Sequence, residues 1–356
     1  MLTSDIKPRI YYIESLSNLV EDIEKMEKRY DESCCTEEYL NVLKKEKEVA
    51  VQLLHLDRAR WNTTPKLGIN NFPVFEILLV DHCNYNCAYC NHWSNIAPKH
   101  FYDYDQLMKD LERISFLYGK ECGIKLMGGE PTLHPKLKDI LENTSNLFMS
   151  SVQILTNGLA LISAIKKKDF SLFETFKKNN ITVEITEYPY LNYDELKEVL
   201  KNYGIFTRYS VQYGQKDNIR HDMQIHGVNI NGTPNWKNRH LCCGNSNTTI
   251  NMKEGKIFAC PFKACLDIFI KYYGLEDKMQ ITKEDYIDIY EVKSKEEIAK
   301  FLCTGTPACK YCTGDTTNFS PESHPWRRTT KSITEWIDSQ GIEKALHTED
   351  FDILNQ

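Results

Sequence analysis

The stretch VFEILLVDHCNYNCAYCNHWSN, residues 74–95, runs a short apolar segment straight into three closely spaced cysteines, Cys83, Cys87 and Cys90. VFEILLV (74–80) has the length and texture of a buried strand. Similar runs recur downstream as GIKLM (123–127), SVQILT (151–156), ITVEIT (181–186) and IFTRYSV (205–211). Between them the apolar positions take helical spacing, first over 104–118, with Leu107, Leu111, Ile114 and Tyr118 on one face, then near 135–147, 159–178 and 193–203. Strand and helix in alternation build βαβ units on a parallel sheet, so the fold class expected is α/β, a partial (β/α)6 TIM-like barrel. In such barrels the chemistry sits in the βα loops at the C-terminal strand ends. That rule gathers the cysteine loop, GGEP (128–131), TNG (156–158), Thr186 with Glu187, and Arg208 on one rim.

Around this core, expected over residues 71–230, three further regions are read. Residues 1–70 form an N-terminal helical extension, with one apolar stripe through Ile13, Leu16, Leu19, Val20, Ile23 and Met26 and a second helix from Thr36 to about Trp61. It is read as a packing or partner element without chemistry. Residues 231–320 form a small cysteine-rich β-hairpin/helix domain, and 321–356 a helical tail. In the tail, FSPESHPWRR (319–328) is loop-like and SITEWIDSQG (332–341) has helical spacing; Trp326 and Arg327 either cover a substrate cavity or pack.

A net charge of -6 gives no basic footprint for nucleic acid. There is no run of about 18 apolar residues to cross a membrane, and MLTSDIKPRIYY lacks the form of a secretory signal. A cytoplasmic location is therefore expected, where thiols stay reduced. Thirteen cysteines then point to metal or redox chemistry rather than disulfides. Their distribution is uneven: Cys34 and Cys35 near the start, the cluster at 83–90, Cys122 alone, and seven after residue 240.

Three thiolates can hold a cubane iron–sulfur cluster and leave one iron without a protein ligand, which is the open position a catalytic centre needs. The rival reading is a zinc site completed by His82 or His92. Zinc ligands more often come as paired Cys-x2-Cys units, and the spacing Cys83-x3-Cys87-x2-Cys90 suits zinc less well.

That triple, with Tyr89 before its last cysteine and LMGGEP following the next strand, resembles the radical S-adenosylmethionine (SAM) superfamily over roughly residues 74–212. The resemblance implies a [4Fe-4S] cluster on Cys83, Cys87 and Cys90 whose open iron is chelated by SAM, and an external electron donor such as flavodoxin or ferredoxin. It makes Gly128 and Gly129 the place where backbone approaches the methionyl group, Glu130 the acceptor for the SAM ammonium and Pro131 the fixed turn. Asn157 would contact the SAM carboxylate or ribose, Glu184 and Thr186 the ribose, and Tyr89 the adenine. Arg208 would pair with a carboxylate of SAM or an anionic substrate, or else is an ordinary strand residue.

HLCCGNSNTTINMKEGKIFACPF (240–262) reads as two strands around a turn at Lys253, Glu254 and Gly255, with cysteine at each end; Cys303 and Cys309-x2-Cys312 follow. One cysteine per arm plus a distant Cys-x2-Cys closes a four-thiolate site for zinc or a cluster. The arrangement resembles the twitch extension, a shortened SPASM domain, which implies a second, auxiliary [4Fe-4S] cluster. Its ligands would be Cys260, Cys309, Cys312 and one of Cys242 and Cys243, with Cys242 slightly preferred. Cys265 and Cys303 are left over, as small buried residues or hydrogen-atom donors.

The function expected is therefore a radical SAM enzyme that cleaves SAM to a 5'-deoxyadenosyl radical and takes a hydrogen atom from substrate. The reaction expected is dehydrogenation or epimerisation of a sugar- or cyclitol-like small molecule, by likeness to aminocyclitol dehydrogenases. The alternatives are modification of a ribosomally made peptide, against which the purely helical N-terminus counts, and a zinc-stapled binding module without catalysis.

Overall fold

The computed structural model describes residues 74–150, 152–188, 191–211, 227–232, 250–302, 305–313 and 328–337. The N-terminal extension expected at 1–70, with Cys34 and Cys35, lies outside these residues, as do Cys242, Cys243, Cys303, Trp326 and Arg327.

Eight strands form one mostly parallel sheet, β1 (Val74–Val80), β2 (Gly123–Gly128), β3 (Gln153–Thr156), β4 (Thr182–Glu187), β5 (Thr207–Val211), β6 (Ile250–Lys253), β7 (Lys256–Phe258) and β8 (Ile287–Asp288). Their order is β5-β4-β3-β2-β1-β6-β7-β8, consistent with a partial barrel. β1 to β5 run parallel to their neighbours, as the βαβ alternation predicts. The hairpin expected in a separate C-terminal domain is part of this same sheet. Its first arm pairs in parallel with the second edge of β1, Phe75 opposite Ile250 and Ile77 opposite Met252, and so satisfies backbone groups that burial would otherwise strand.

The strand residues divide by parity. Phe75, Ile77 and Leu79 of β1, with Ile124, Leu126, Ile154, Val183 and Ile185, face the first core. The helices supply the other half of that core: α1 (Tyr104–Tyr118), α2 (Leu137–Leu147), α3 (Leu159–Lys166), α4 (Ser171–Lys178) and α5 (Asp194–Asn202). α1 begins where Asp103 accepts from Gln106 N–H at 2.9 Å, and it buries Leu107, Leu111 and Ile114. One helix was expected over 159–178. The chain instead breaks at Lys168, whose φ is 59°, and Asp169 takes Ser171 N–H at 3.1 Å to start α4.

The opposite sheet face is apolar only toward the strand ends, at Leu78, Met127 and Leu155. There it meets α6 (Pro261–Tyr272), through Phe262, Leu266 and Phe269, and Trp336 from the 328–337 segment. Lower on the same face, Glu76 stands opposite Lys125 and Asn251, Gln153 opposite Lys125, and Lys125 Nζ pairs with Glu184 Oε2 at 2.9 Å. That strip is polar. α7 (Lys295–Leu302) follows β8. The described part of the expected tail helix is one 3-10 turn, Ile333–Glu335, after which Ile337 bridges to Val228.

The β6–β7 turn is fastened to α1 through Asp110, a fully buried carboxylate. It accepts from Tyr102 hydroxyl, from Tyr290 hydroxyl at 2.6 Å and from Gln106 Nε2 at 2.8 Å, while Gly255 N–H donates to Tyr102 at 2.7 Å. Asp110→Asn replaces one acceptor oxygen by a donor facing donors. The expected cost is about 2 kcal/mol, read as a lower denaturation midpoint with unchanged cooperativity.

Candidate functional site

A cavity of about 430 Å³ opens at the C-terminal ends of β1 to β4, and Cys83, Cys87 and Cys90 line one side of it. Gly128, Gly129, Glu130, Asn157 and Thr186 line it too, together with Tyr89. Loops far apart in sequence thus meet at one rim.

The cysteine loop is pinned from several sides. Gly129 N–H donates to Val80 O at 2.6 Å and Glu130 N–H to His82 O at 3.1 Å, so the GGE turn lies directly on the start of the loop. A Cβ on Gly129 would come within 2.1 Å of His82 O, and one on Gly128, at φ 128°, within 2.6 Å of Val80 O. The glycines were expected to make room for a cofactor. Their first requirement is the passage of the cysteine-loop backbone. Trp93, fully buried, anchors the far end of the loop, its ring 5.2 Å from Phe262 and 5.5 Å from Phe269 of α6. Asn95 Nδ2 donates to Cys87 O at 2.6 Å. Lys253, from the hairpin, pairs with Asp81 at 3.0 Å, and Thr329 N–H donates to Asn86 O at 3.0 Å beside a Cys87–Arg328 bridge.

Glu130 is a buried junction. Its Oε1 accepts from Thr132 N–H (3.1 Å), Thr132 hydroxyl and Thr156 hydroxyl (2.6 Å), and its Oε2 accepts from Asn157 N–H at 2.9 Å. Burial raises its pKa, against those hydrogen bonds. Oε2 takes one of these four bonds, so one of its two lone-pair directions is left to accept a donor such as an ammonium. Asn157 is similarly committed: its Oδ1 takes Leu159 N–H at 3.0 Å and its Nδ2 reaches Asn84 Oδ1 at 2.8 Å and Cys83 Sγ at 3.7 Å.

The sulfurs sit among donors. Tyr85 N–H points at Cys83 Sγ at 3.3 Å. Burial, and then the nearby Glu130, pushes the Cys83 thiol well up, and burial raises Cys90, opposed by the backbone N–H groups of Ser94 and His92. N–H groups aimed at sulfur stabilise the anionic ligand form. Among the described residues no three His, Cys, Asp or Glu side chains are arranged to hold a single metal ion. Of the two histidines expected to complete a zinc site, His82 accepts from His100 N–H through Nδ1 at 3.4 Å and His92 lines the cavity beside the cysteines. Three sulfurs spread along a cavity wall, with N–H donors behind them, fit a cluster bulkier than one ion.

Other expected site residues fall outside this cavity's wall. Pro131, itself buried, opens the 3-10 turn Pro131–Leu133 behind Glu130. Glu184 lies two residues before Thr186 on β4 and is paired with Lys125. Arg208 is exposed on the edge strand β5, its guanidinium 5.9 Å from the Phe206 ring. Cys265 is 3 % exposed within α6, its thiol pushed up by burial, and packs in the second core rather than at the cavity. Cys260 caps the N-terminus of α6, and Cys309 and Cys312 belong to the turn Pro307–Tyr311 and its C-cap.

Three tyrosines escaped the sequence reading. Tyr85 and Tyr188 have ring centroids 4.4 Å apart at the cavity edge, and burial, with Cys87 against its hydroxyl, pushes the Tyr188 phenol well up. Tyr188 directly follows β4, so the strand-end rule was the signal for it. Tyr193 was also missed; its hydroxyl donates to Asn157 O at 3.0 Å and accepts Tyr188 N–H at 3.1 Å.

The geometry can be set beside known proteins. A GTP 3',8-cyclase of Microcystis aeruginosa is 26 % identical over 98 residues, which is 26 % of this chain and 30 % of that protein, so the match spans under a third of the relative. Two solved structures are similar at low identity. BtrN in complex with AdoMet and 2-DOIA is 19 % identical, with TM-score 0.42 over 68 % of this chain and 93 % of that one. Streptococcus suis SuiB bound to S-adenosylmethionine is 12 % identical, with TM-score 0.33 over 78 % and 75 %. No described helix is long and apolar enough to cross a membrane. Residues 77–226, the segment holding the cysteine loop, the GGE turn and Thr186, match the Radical SAM superfamily, a family that implies SAM and a [4Fe-4S] cluster as cofactors.

Proposed function

We propose that this protein is a radical SAM enzyme that dehydrogenates or epimerises a small, polar, sugar- or cyclitol-like molecule. The observation that carries the reading is the single cavity lined by Cys83, Cys87, Cys90, the GGE turn, Asn157 and Thr186. When bound there, the cluster and SAM supply a 5'-deoxyadenosyl radical that takes a hydrogen atom from substrate. Cys83, Cys87 and Cys90 hold the cluster, Glu130 Oε2 receives the SAM ammonium, and Tyr89, Gly128, Gly129, Asn157 and Thr186 contact the rest of SAM. Support for a polar substrate comes from the polar strip of Glu76, Lys125, Gln153 and Asn251 on the same sheet face, with Glu184 paired to Lys125. Glu184 is thereby reassigned from SAM to the substrate side.

Cys260, Cys309 and Cys312, with one of Cys242 and Cys243, are proposed to hold a second cluster. Support comes from α6, capped at its N-terminus by Cys260 and carrying Lys263 in its first turn, the latter reaching Cys309. Cys309→Ser with Cys312→Ser is expected to halve the iron and sulfide of the anaerobically reconstituted chain while leaving some SAM cleavage; unchanged iron would place the second centre elsewhere.

The reaction itself is tested by anaerobic turnover with deuterated cyclitols and amino sugars. Deuterium appearing in 5'-deoxyadenosine, with an oxidised or inverted product carbon, is the expected result. A colourless protein that carries zinc and stays inactive after reconstitution would end the enzyme reading.

A further inference from the structure

The least expected side chain in the C-terminal region is Lys263. It lies one turn into α6 and is only 1 % exposed, although lysine is rarely buried unless something compensates its charge. Its Nζ reaches Thr306 Oγ1 at 3.1 Å and Cys309 Sγ at 3.7 Å. Thr306 and Cys309 belong to one turn, closed by Cys309 N–H donating to Thr306 O at 2.9 Å. The buried carboxylate bracing that turn, Asp285, accepts from Ala308 N–H at 2.7 Å and from Thr282 N–H and hydroxyl. A long flexible side chain has thus been drawn inward to a sulfur and a hydroxyl, three residues on from Cys260 on the same helix.

We propose that Lys263 is the resident cation of a thiolate-bound auxiliary centre and sets its reduction potential. The inference rests on the second-cluster reading above. The physical argument is short. A cluster gains negative charge on reduction, and a fixed positive charge in a dry surrounding stabilises the reduced form more than the oxidised one. A hydrogen bond from the ammonium to a ligating sulfur acts in the same direction. Lys263 therefore makes the centre a better electron acceptor, which suits an oxidative outcome over a redox-neutral one.

The test uses the full chain, reconstituted anaerobically with iron and sulfide, in a background where Cys83, Cys87 and Cys90 are alanine, so that only an auxiliary centre gives a signal. If that background holds no iron, the second-cluster reading fails by itself, before Lys263 is touched. If it holds a cluster, its midpoint is read by a potentiometric titration followed by electron paramagnetic resonance. Lys263→Met is expected to shift the midpoint to a more negative value at unchanged iron content, and Lys263→Arg, which keeps the charge, to stay near the parent. Should Lys263→Met fail to hold the cluster, Lys263→Arg decides: retention of iron at the parental potential supports the role of charge, and loss in both variants overturns it. Equal midpoints for the parent and Lys263→Met at equal iron also overturn the proposal.

Discussion

Alanine at Cys83, Cys87 and Cys90 is expected to remove the iron of the cavity and to reduce 5'-deoxyadenosine formation to the level of a protein-free blank. The reason is that no other described cysteine lines the cavity. Cys122 is buried in the first core with its thiol donating to Gly119 O at 3.3 Å and its pKa pushed up to about 12, and Cys265 is enclosed by the second core. Neither lines the cavity. The protein should nevertheless fold, because the loop is held by its backbone, Asn95 and Trp93 rather than by its sulfurs. Iron analysis, circular dichroism and chromatographic detection of 5'-deoxyadenosine on the same preparations separate these effects. SAM cleavage persisting in the triple variant would falsify the assignment.

Gly129→Ala is expected to be nearly as damaging without touching a ligand. The added Cβ meets His82 O at 2.1 Å, His82 C at 2.5 Å and Asp81 O at 2.8 Å, all backbone atoms that cannot swing aside. Loop and turn must separate, giving up the Gly129–Val80 and Glu130–His82 hydrogen bonds at the point where the cysteine loop begins. A cost of about 3–5 kcal/mol is expected, at the upper end for overpacking because backbone hydrogen bonds go with it. Cluster retention should fall in parallel. Gly274→Ala is the control: its φ of 63° disfavours a side chain by about 1–2 kcal/mol, but nothing lies within 4 Å of the new Cβ. It should lower stability modestly and leave iron content alone. Equal iron loss in both would mean that the loop responds to global stability rather than to the clash.

The rim of the site was legible because strand ends are legible. An apolar run such as VFEILLV fixes where a strand stops, and the parallel arrangement then sends the next residues of every strand to the same side. That reasoning brought Cys83, Gly129, Asn157 and Thr186 together without a single distance. It failed where height along a strand or a close backbone approach mattered. Glu184 has the right parity but sits two residues too low, where Lys125 captures it across β3. The purpose of Gly129 depends on His82 O, and no periodicity reports that contact. The helix expected in the 231–320 region could not be placed at α6 for another reason. Nearly every residue of PFKACLDIFIKY is buried, so the polar stripe that marks a surface helix is absent. The break between α3 and α4, by contrast, was readable in the Asp169-x-Ser171 spacing, a local start signal masked by the lysines before it.

The pairing of Thr329 with Asn86, and of Arg328 with Cys87, also sets a timetable. These contacts join residues about 240 positions apart, which at ordinary rates of synthesis separates their emergence by roughly ten to fifty seconds. During that interval the strand-like edge at Asn86 and Cys87 has no 328–329 segment to pair with, while the GGE turn that supports the loop from the other side is already made. The cysteine loop is therefore closed on this side only after a segment made about 240 residues later has emerged.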